Sequence, residues 1–206
     1  MHEAAGSRAF NATHWIILTT VGLAGGLTAG VFAGIPLGRI LNAMIVTALV
    51  TCVIGGVLGA FQAAGLRQLL AKPSWWIAAT IVGGGVGLAL GVITVEEIGT
   101  LLTGTPPRVA KLGAAMRAVS FVTIGVVAGT VLGLAQWVVL RAQRSTVKHW
   151  IVACGAALGT AFCLASLLVD VSGVAYASGP GRISFVILSG LMFGALTCWP
   201  LRRSAA

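Results

Sequence analysis

Apolar residues dominate this chain in six uncharged stretches, from Phe10 to Gly38, Ile40 to Leu66, Pro73 to Val95, Ala118 to Leu140, His149 to Val169 and Ile183 to Leu201. A helix needs about 20 mostly apolar residues to cross ~30 Å of hydrocarbon. Each stretch meets or approaches that length, and the last, the shortest, carries Pro200 near its end. Strands of a membrane barrel would instead alternate apolar and polar residues with a period of two. The runs show no such alternation, so the pattern predicts an all-α integral membrane protein of six transmembrane helices. The first stretch is long enough to span and has no cleavage-site signature, which predicts a retained helix and not a removed signal.

The few polar positions within these runs recur. "GAFQAAGLRQLLAKPSWW" opens at Gly59, and a shift of 74 residues carries Gly55, Gly59, Gln62, Leu66, Arg67 and Trp76 onto Gly129, Gly133, Gln136, Leu140, Arg141 and Trp150. A weaker third copy has Gly190, Gly194, Thr197, Leu201 and Arg202, with threonine at the glutamine position. The other half of the unit repeats as well. Trp15, Trp76 and Trp150 each precede an isoleucine, and small residues follow at fixed spacing: Gly22, Gly26 and Gly30, then Gly83, Gly87 and Gly91, then Ala157, Ala161 and Ala165. The chain therefore reads as one membrane domain, residues 1–206, of three repeated helical hairpins at about 13–66, 75–140 and 149–202. Repeats of this kind are common in transporter folds.

Spacing of four residues places glycines on one ridge of a helix. Close backbone approach along such ridges drives helix association in lipid, where apolar exclusion contributes little. Gly22, Gly26, Gly30, Gly55, Gly59, Gly83, Gly87, Gly91, Gly129 and Gly133 are the predicted packing positions. Gln62 lies seven residues from Gly55, on the same face, and Gln136 repeats it. Both amides are expected to point inward and bond across helices, because an unsatisfied amide facing lipid costs several kcal/mol. Trp15, Trp75, Trp76 and Trp150 read as ring anchors at the membrane boundary, with Arg67 and Arg141 ending the preceding helices in the headgroups.

Composition agrees: 58% of residues are hydrophobic and 8% charged, with mean hydropathy +1.02, against roughly 25% charged in a soluble domain. The net charge of +9 falls in the turns and at the ends, not in a stripe that would track nucleic-acid phosphates. Read by side, Arg8, Arg67, Lys72, Arg141, Arg144, Lys148, Arg202 and Arg203 face Arg39, Arg108, Lys111, Arg117 and Arg182. The excess on the terminal side predicts cytoplasmic N- and C-termini.

Candidate chemistry is sparse. None of the six stretches holds an Asp, Glu, Lys or Arg, whereas ion-coupled carriers keep an ionisable residue inside the membrane. Serine-hydrolase and zinc-protease motifs are absent. Cys52, Cys154, Cys163 and Cys198 lack metal-ligand spacing and read as small apolar filler. His14 and His149 precede the repeat's tryptophans and are the candidate ligands for a metal or a pigment magnesium, set against a plain boundary role. Glu96 and Glu97 read as the end of the third helix. They open the longest loop, to Arg117, which carries Arg108 and Lys111 and has the length of a partner-contact segment.

The "GLAQWVVLR" segment with a tryptophan nine residues beyond its arginine resembles a set of uncharacterised multi-pass bacterial membrane proteins, best over residues 55–165. The resemblance implies a bacterial inner (cytoplasmic) membrane setting and carries no activity, substrate or cofactor. Six spans in about 200 residues is also similar to the substrate-binding components of energy-coupling-factor vitamin importers, from which the triplication and the missing polar pocket set this chain apart. The expected role is non-enzymatic: a structural or accessory subunit packed among other membrane proteins, including beside pigments or redox cofactors held elsewhere. In that role a small-residue ridge such as Gly22, Gly26 and Gly30 is expected to face a neighbour's helix. The alternative is a small permease or substrate-binding component for an uncharged or weakly polar solute. The residues name no cofactor.

Overall fold

The computed structural model describes residues 11–37, 43–67, 70–104, 113–142, 149–171 and 179–205. Arg8, Arg39, Arg108, Lys111, Arg144 and Lys148 of the charges counted above lie outside them. Six helices follow one another: α1 (Ala12–Leu37), α2 (Ala43–Leu66), α3 (Pro73–Thr103), α4 (Ala114–Arg141), α5 (Trp150–Val171) and α6 (Gly179–Ala205). The first five contain stretches long and apolar enough to cross a membrane, and the apolar part of α6 is shorter, Ile183–Cys198. Chains this apolar favour helix because helix closes every backbone hydrogen bond within the segment. Hydroxyls follow the same logic. Thr20, Thr28, Thr94, Thr123 and Thr130 each donate to the carbonyl four residues earlier, so none has to face hydrocarbon unbonded.

Local signals set the ends. Asn11 Oδ1 accepts the His14 backbone N–H at 3.0 Å, an N-cap bond for α1. Pro73 opens α3, where its missing N–H costs nothing. The end of α3 corrects the expectation that Glu96 and Glu97 terminate it. The helix runs on to Thr103 with both acids exposed, and stops where Gly104 takes a left-handed conformation (φ 75°) and donates its N–H to Thr100 O. Glutamate is a good helix former and breaks nothing by itself; the left-handed glycine does.

Among the described residues each helix packs against its sequence neighbours, and α6 returns to α1, so the six close into a ring. Directions alternate. A Cβ built on Gly26 would lie 2.8 Å from Ile54 O and one on Gly30 3.1 Å from the Val50 side chain, so α1 and α2 run antiparallel. Gly22 meets Phe61 and Leu58 on the same helix. The ridge of Gly22, Gly26 and Gly30 is therefore covered by α2, which corrects the expectation that it faces a neighbouring protein. Gly83, Gly87 and Gly91 of α3 lie against Leu132, Ala128 and Ile124 of α4 in the same manner. Gly55 and Gly59 of α2 lie against Ile81 and Ile77 of α3, and Gly129 and Gly133 of α4 against Gly155 and Ile151 of α5. The outer surface carries exposed apolar side chains on every helix, among them Ile17, Leu49, Val86, Val126, Val152 and Leu191.

Candidate functional site

The polar side chains the sequence singles out meet inside the ring, at the end where odd-numbered helices begin and even-numbered helices finish. Trp15, Trp76 and Trp150 sit in the first turn of α1, α3 and α5, and each is at most 1% exposed. This corrects the boundary reading of these three rings. An indole N–H buried among apolar groups needs an acceptor, and the preceding helix supplies it for Trp76 and Trp150, while the last helix, α6, supplies it for Trp15. Trp76 Nε1 donates to Gln62 Oε1 at 3.4 Å, Trp150 Nε1 to Gln136 Oε1 at 3.3 Å, and Trp15 Nε1 to Thr197 Oγ1 at 3.1 Å. The residue before each buried tryptophan, His14, Trp75 or His149, is exposed. Consecutive residues point about 100° apart around a helix, so the ring at the boundary is Trp75 and not Trp76.

Gln62 and Gln136 are buried and bonded to each other, Gln136 Nε2 donating to Gln62 Oε1 at 3.2 Å and to Thr80 Oγ1 at 3.0 Å. Thr80 in turn donates to Trp76 O at 2.9 Å, and Thr197 to Phe193 O at 2.7 Å. The Trp76 and Trp150 rings lie 6.0 Å apart, centre to centre. One connected network thus joins α2, α3, α4 and α5, and the Trp15–Thr197 bond closes α1 onto α6. The sequence held a signal for the Trp–amide pairing: each glutamine precedes its tryptophan by 14 residues.

Below this layer a cavity of about 60 Å³ is lined from all six helices, by residues including Leu23, Ile54, Gly84, Ala128, Leu158 and Phe193. Its cause is local. Eight residues after Trp15 and Trp150 stand Leu23 and Leu158, whereas eight after Trp76 stands Gly84, and a Cβ added at Gly84 would touch nothing within 4 Å. Beyond the cavity, Phe121, Phe162 and Phe185 pack together with centroids 4.9 to 6.4 Å apart, over Ala165, Val169 and Val186.

The other candidates lie away from this interior. His14 and His149 are exposed at the starts of α1 and α5 and are not brought to Gln62 or Gln136. Among the described residues no three His, Cys, Asp or Glu side chains are placed to hold a metal ion. At the opposite end, Arg117 of α4 pairs with Asp170 of α5, both largely buried. Both residues fall within the apolar helices, just past the stretches read from sequence as uncharged. The sequence pattern puts Arg117 on one side of the membrane and names no partner for it. The cysteines are all free, Cys154 buried and Cys52 exposed on the outer surface.

No family model, curated protein or solved structure matches the chain.

Proposed function

We propose that this chain is a non-enzymatic integral membrane protein that serves as a structural or accessory subunit of a larger membrane assembly. The observation that carries the reading is how closely the described interior is packed. Its amides, indoles and Thr80 and Thr197 hydroxyls bond to one another or to backbone, three tryptophans crowd one end and a phenylalanine cluster the other. The central cavity of about 60 Å³ is well below the roughly 300–1,000 Å³ of ligand pockets. A ring packed in this way offers its outside more than its axis, and the end of α3 adds Leu101 and Leu102, 85% and 71% exposed, as contact surface.

The ring is read as three hairpins related by an approximate threefold repeat. In support, a Cβ built on Gly59, Gly133 or Gly194 would lie 3.1 Å from the Cα of Ile77, Ile151 or Ile16, the residue after each buried tryptophan. One turn away, Gly55, Gly129 and Gly190 give 2.9 Å to the Cα of Ile81, Gly155 and Thr20. A bacterial inner membrane, with both termini cytoplasmic, is the setting that the basic residues favour.

The test is native electrophoresis of membranes extracted in the mildest detergent, with mass spectrometry of co-migrating chains. A stoichiometric complex larger than this chain is expected. Migration as a monomer carrying a small molecule would transfer the reading to the permease class, whose supporting feature is the cavity that all six helices line.

A further inference from the structure

A second concavity, on the outside of the ring, differs from the interior in size and charge. It measures about 460 Å³ and lies between the turn into α3 and the last turn of α4, lined by Ala71, Lys72, Trp75, Val138, Val139 and Ala142. Lys72 supplies a cation, Trp75 an indole 61% exposed, and Val138 an apolar wall 59% exposed. Among the described residues no acid lies near to neutralise the lysine. The described carboxylates, Glu96, Glu97 and Asp170, sit at the far end of the ring, with Glu96 24 residues along α3 from Lys72, or about 36 Å at 1.5 Å per residue. Arg67 and Arg141 are exposed at the same end as Lys72, with the Arg141 guanidinium over the Trp137 ring at 5.1 Å. Lysine and tryptophan are particular to this hairpin. The repeat puts Asn11 and His14 at the equivalent places in the first copy, and Thr146 and His149 in the third.

We propose that this groove is a binding site for an anionic phospholipid. The phosphate pairs with Lys72, Trp75 lies at headgroup depth, and an acyl chain runs along Val138 and Val139. The chemistry fits at each level: basic pockets at helix ends on the cytoplasmic side select anionic headgroups, tryptophan favours the interface, and the volume is that of a small-molecule pocket. The inference rests on the membrane reading above.

Native mass spectrometry of the full chain, purified from membranes in a neutral detergent and titrated with phosphatidylglycerol or phosphatidylcholine, tests it. The wild type is expected to retain phosphatidylglycerol over phosphatidylcholine. Lys72→Gln should reduce that preference about fivefold, the worth of one basic residue at an anionic surface. Val138→Trp, filling the groove from an exposed position, should reduce retention of phosphatidylglycerol while Lys72 is kept. Equal retention of the two lipids by the wild type, or an unchanged preference in Lys72→Gln and unchanged retention in Val138→Trp, overturns the site. Displacement of the lipid by millimolar inorganic phosphate overturns it too, by showing a site for free anion. Recovery of the protein in the soluble fraction sinks the membrane reading itself, before any lipid is added.

Discussion

Gln136 makes three side-chain hydrogen bonds in the interior, accepting from Trp150 and donating to Gln62 and Thr80. Hydrogen bonds between membrane helices average ~0.6 kcal/mol and rarely exceed ~1.7, so Gln136→Leu should cost on the order of 2 kcal/mol in all. Gln136→Thr should cost less, because the third copy already uses a threonine, Thr197, to accept an indole N–H. Thermal unfolding in detergent measures both, and a Leu variant as stable as the wild type would remove the network from the list of stabilising features. The inward direction of the glutamines was legible, since seven residues from Gly55 returns to the packing face. The burial of Trp15, Trp76 and Trp150 was not. A tryptophan at a helix start satisfies the boundary rule equally well whether its ring faces headgroups or core. Only the acceptor decides between them, 14 residues earlier for Trp76 and Trp150 and on the last helix for Trp15, and the adjacent Trp75 shows the other outcome.

For the helices, the same residue type does opposite things three positions apart in α3. A methyl group on Gly84 would enter the central cavity and meet nothing within 4 Å, whereas one on Gly87 would lie 2.7 Å from Ala128 O and 2.9 Å from Ala128 Cα. Backbone cannot step aside as a flexible side chain can. Gly84→Ala should therefore gain up to ~1 kcal/mol from helix propensity, with added packing, while Gly87→Ala should lose about 1–3 kcal/mol to overpacking. Melting temperatures in one detergent, ordered Gly84→Ala above wild type above Gly87→Ala, are the expected result; the reverse order would mean that α3 and α4 do not approach through Gly87. The ridges themselves could be read from the four-residue spacing of glycines. Which neighbour each ridge meets could not, because spacing fixes a face of one helix and says nothing of what covers it. Nor could the true length of α3, since Glu96 and Glu97 end an uncharged run without ending a helix.

At the scale of the whole molecule, closure of the ring depends on a contact no local pattern announces, Trp15 with Thr197 across 182 residues. The six helices were visible as apolar runs, yet the join of the last to the first shows only in three dimensions, where Gly190 and Gly194 lie against Thr20 and Ile16. Once the helices alternate around a ring, one labelled position at each end fixes the orientation of all six. Ser74, exposed beside Trp75, and Leu102, 71% exposed near the end of α3, mark those ends on a single helix. The basic residues described at the Ser74 end, Arg67, Lys72 and Arg141, are the ground for predicting that end on the cytoplasmic side by the positive-inside rule. In a chain with its native cysteines replaced by alanine, Leu102→Cys should react with a membrane-impermeant thiol reagent in intact cells. Ser74→Cys should react only after permeabilisation. Labelling of Ser74→Cys alone in intact cells would turn the ring over and move the lipid groove to the outer leaflet. Labelling of both in intact cells would mean that α3, 31 residues and some 46 Å long, does not cross the membrane at all.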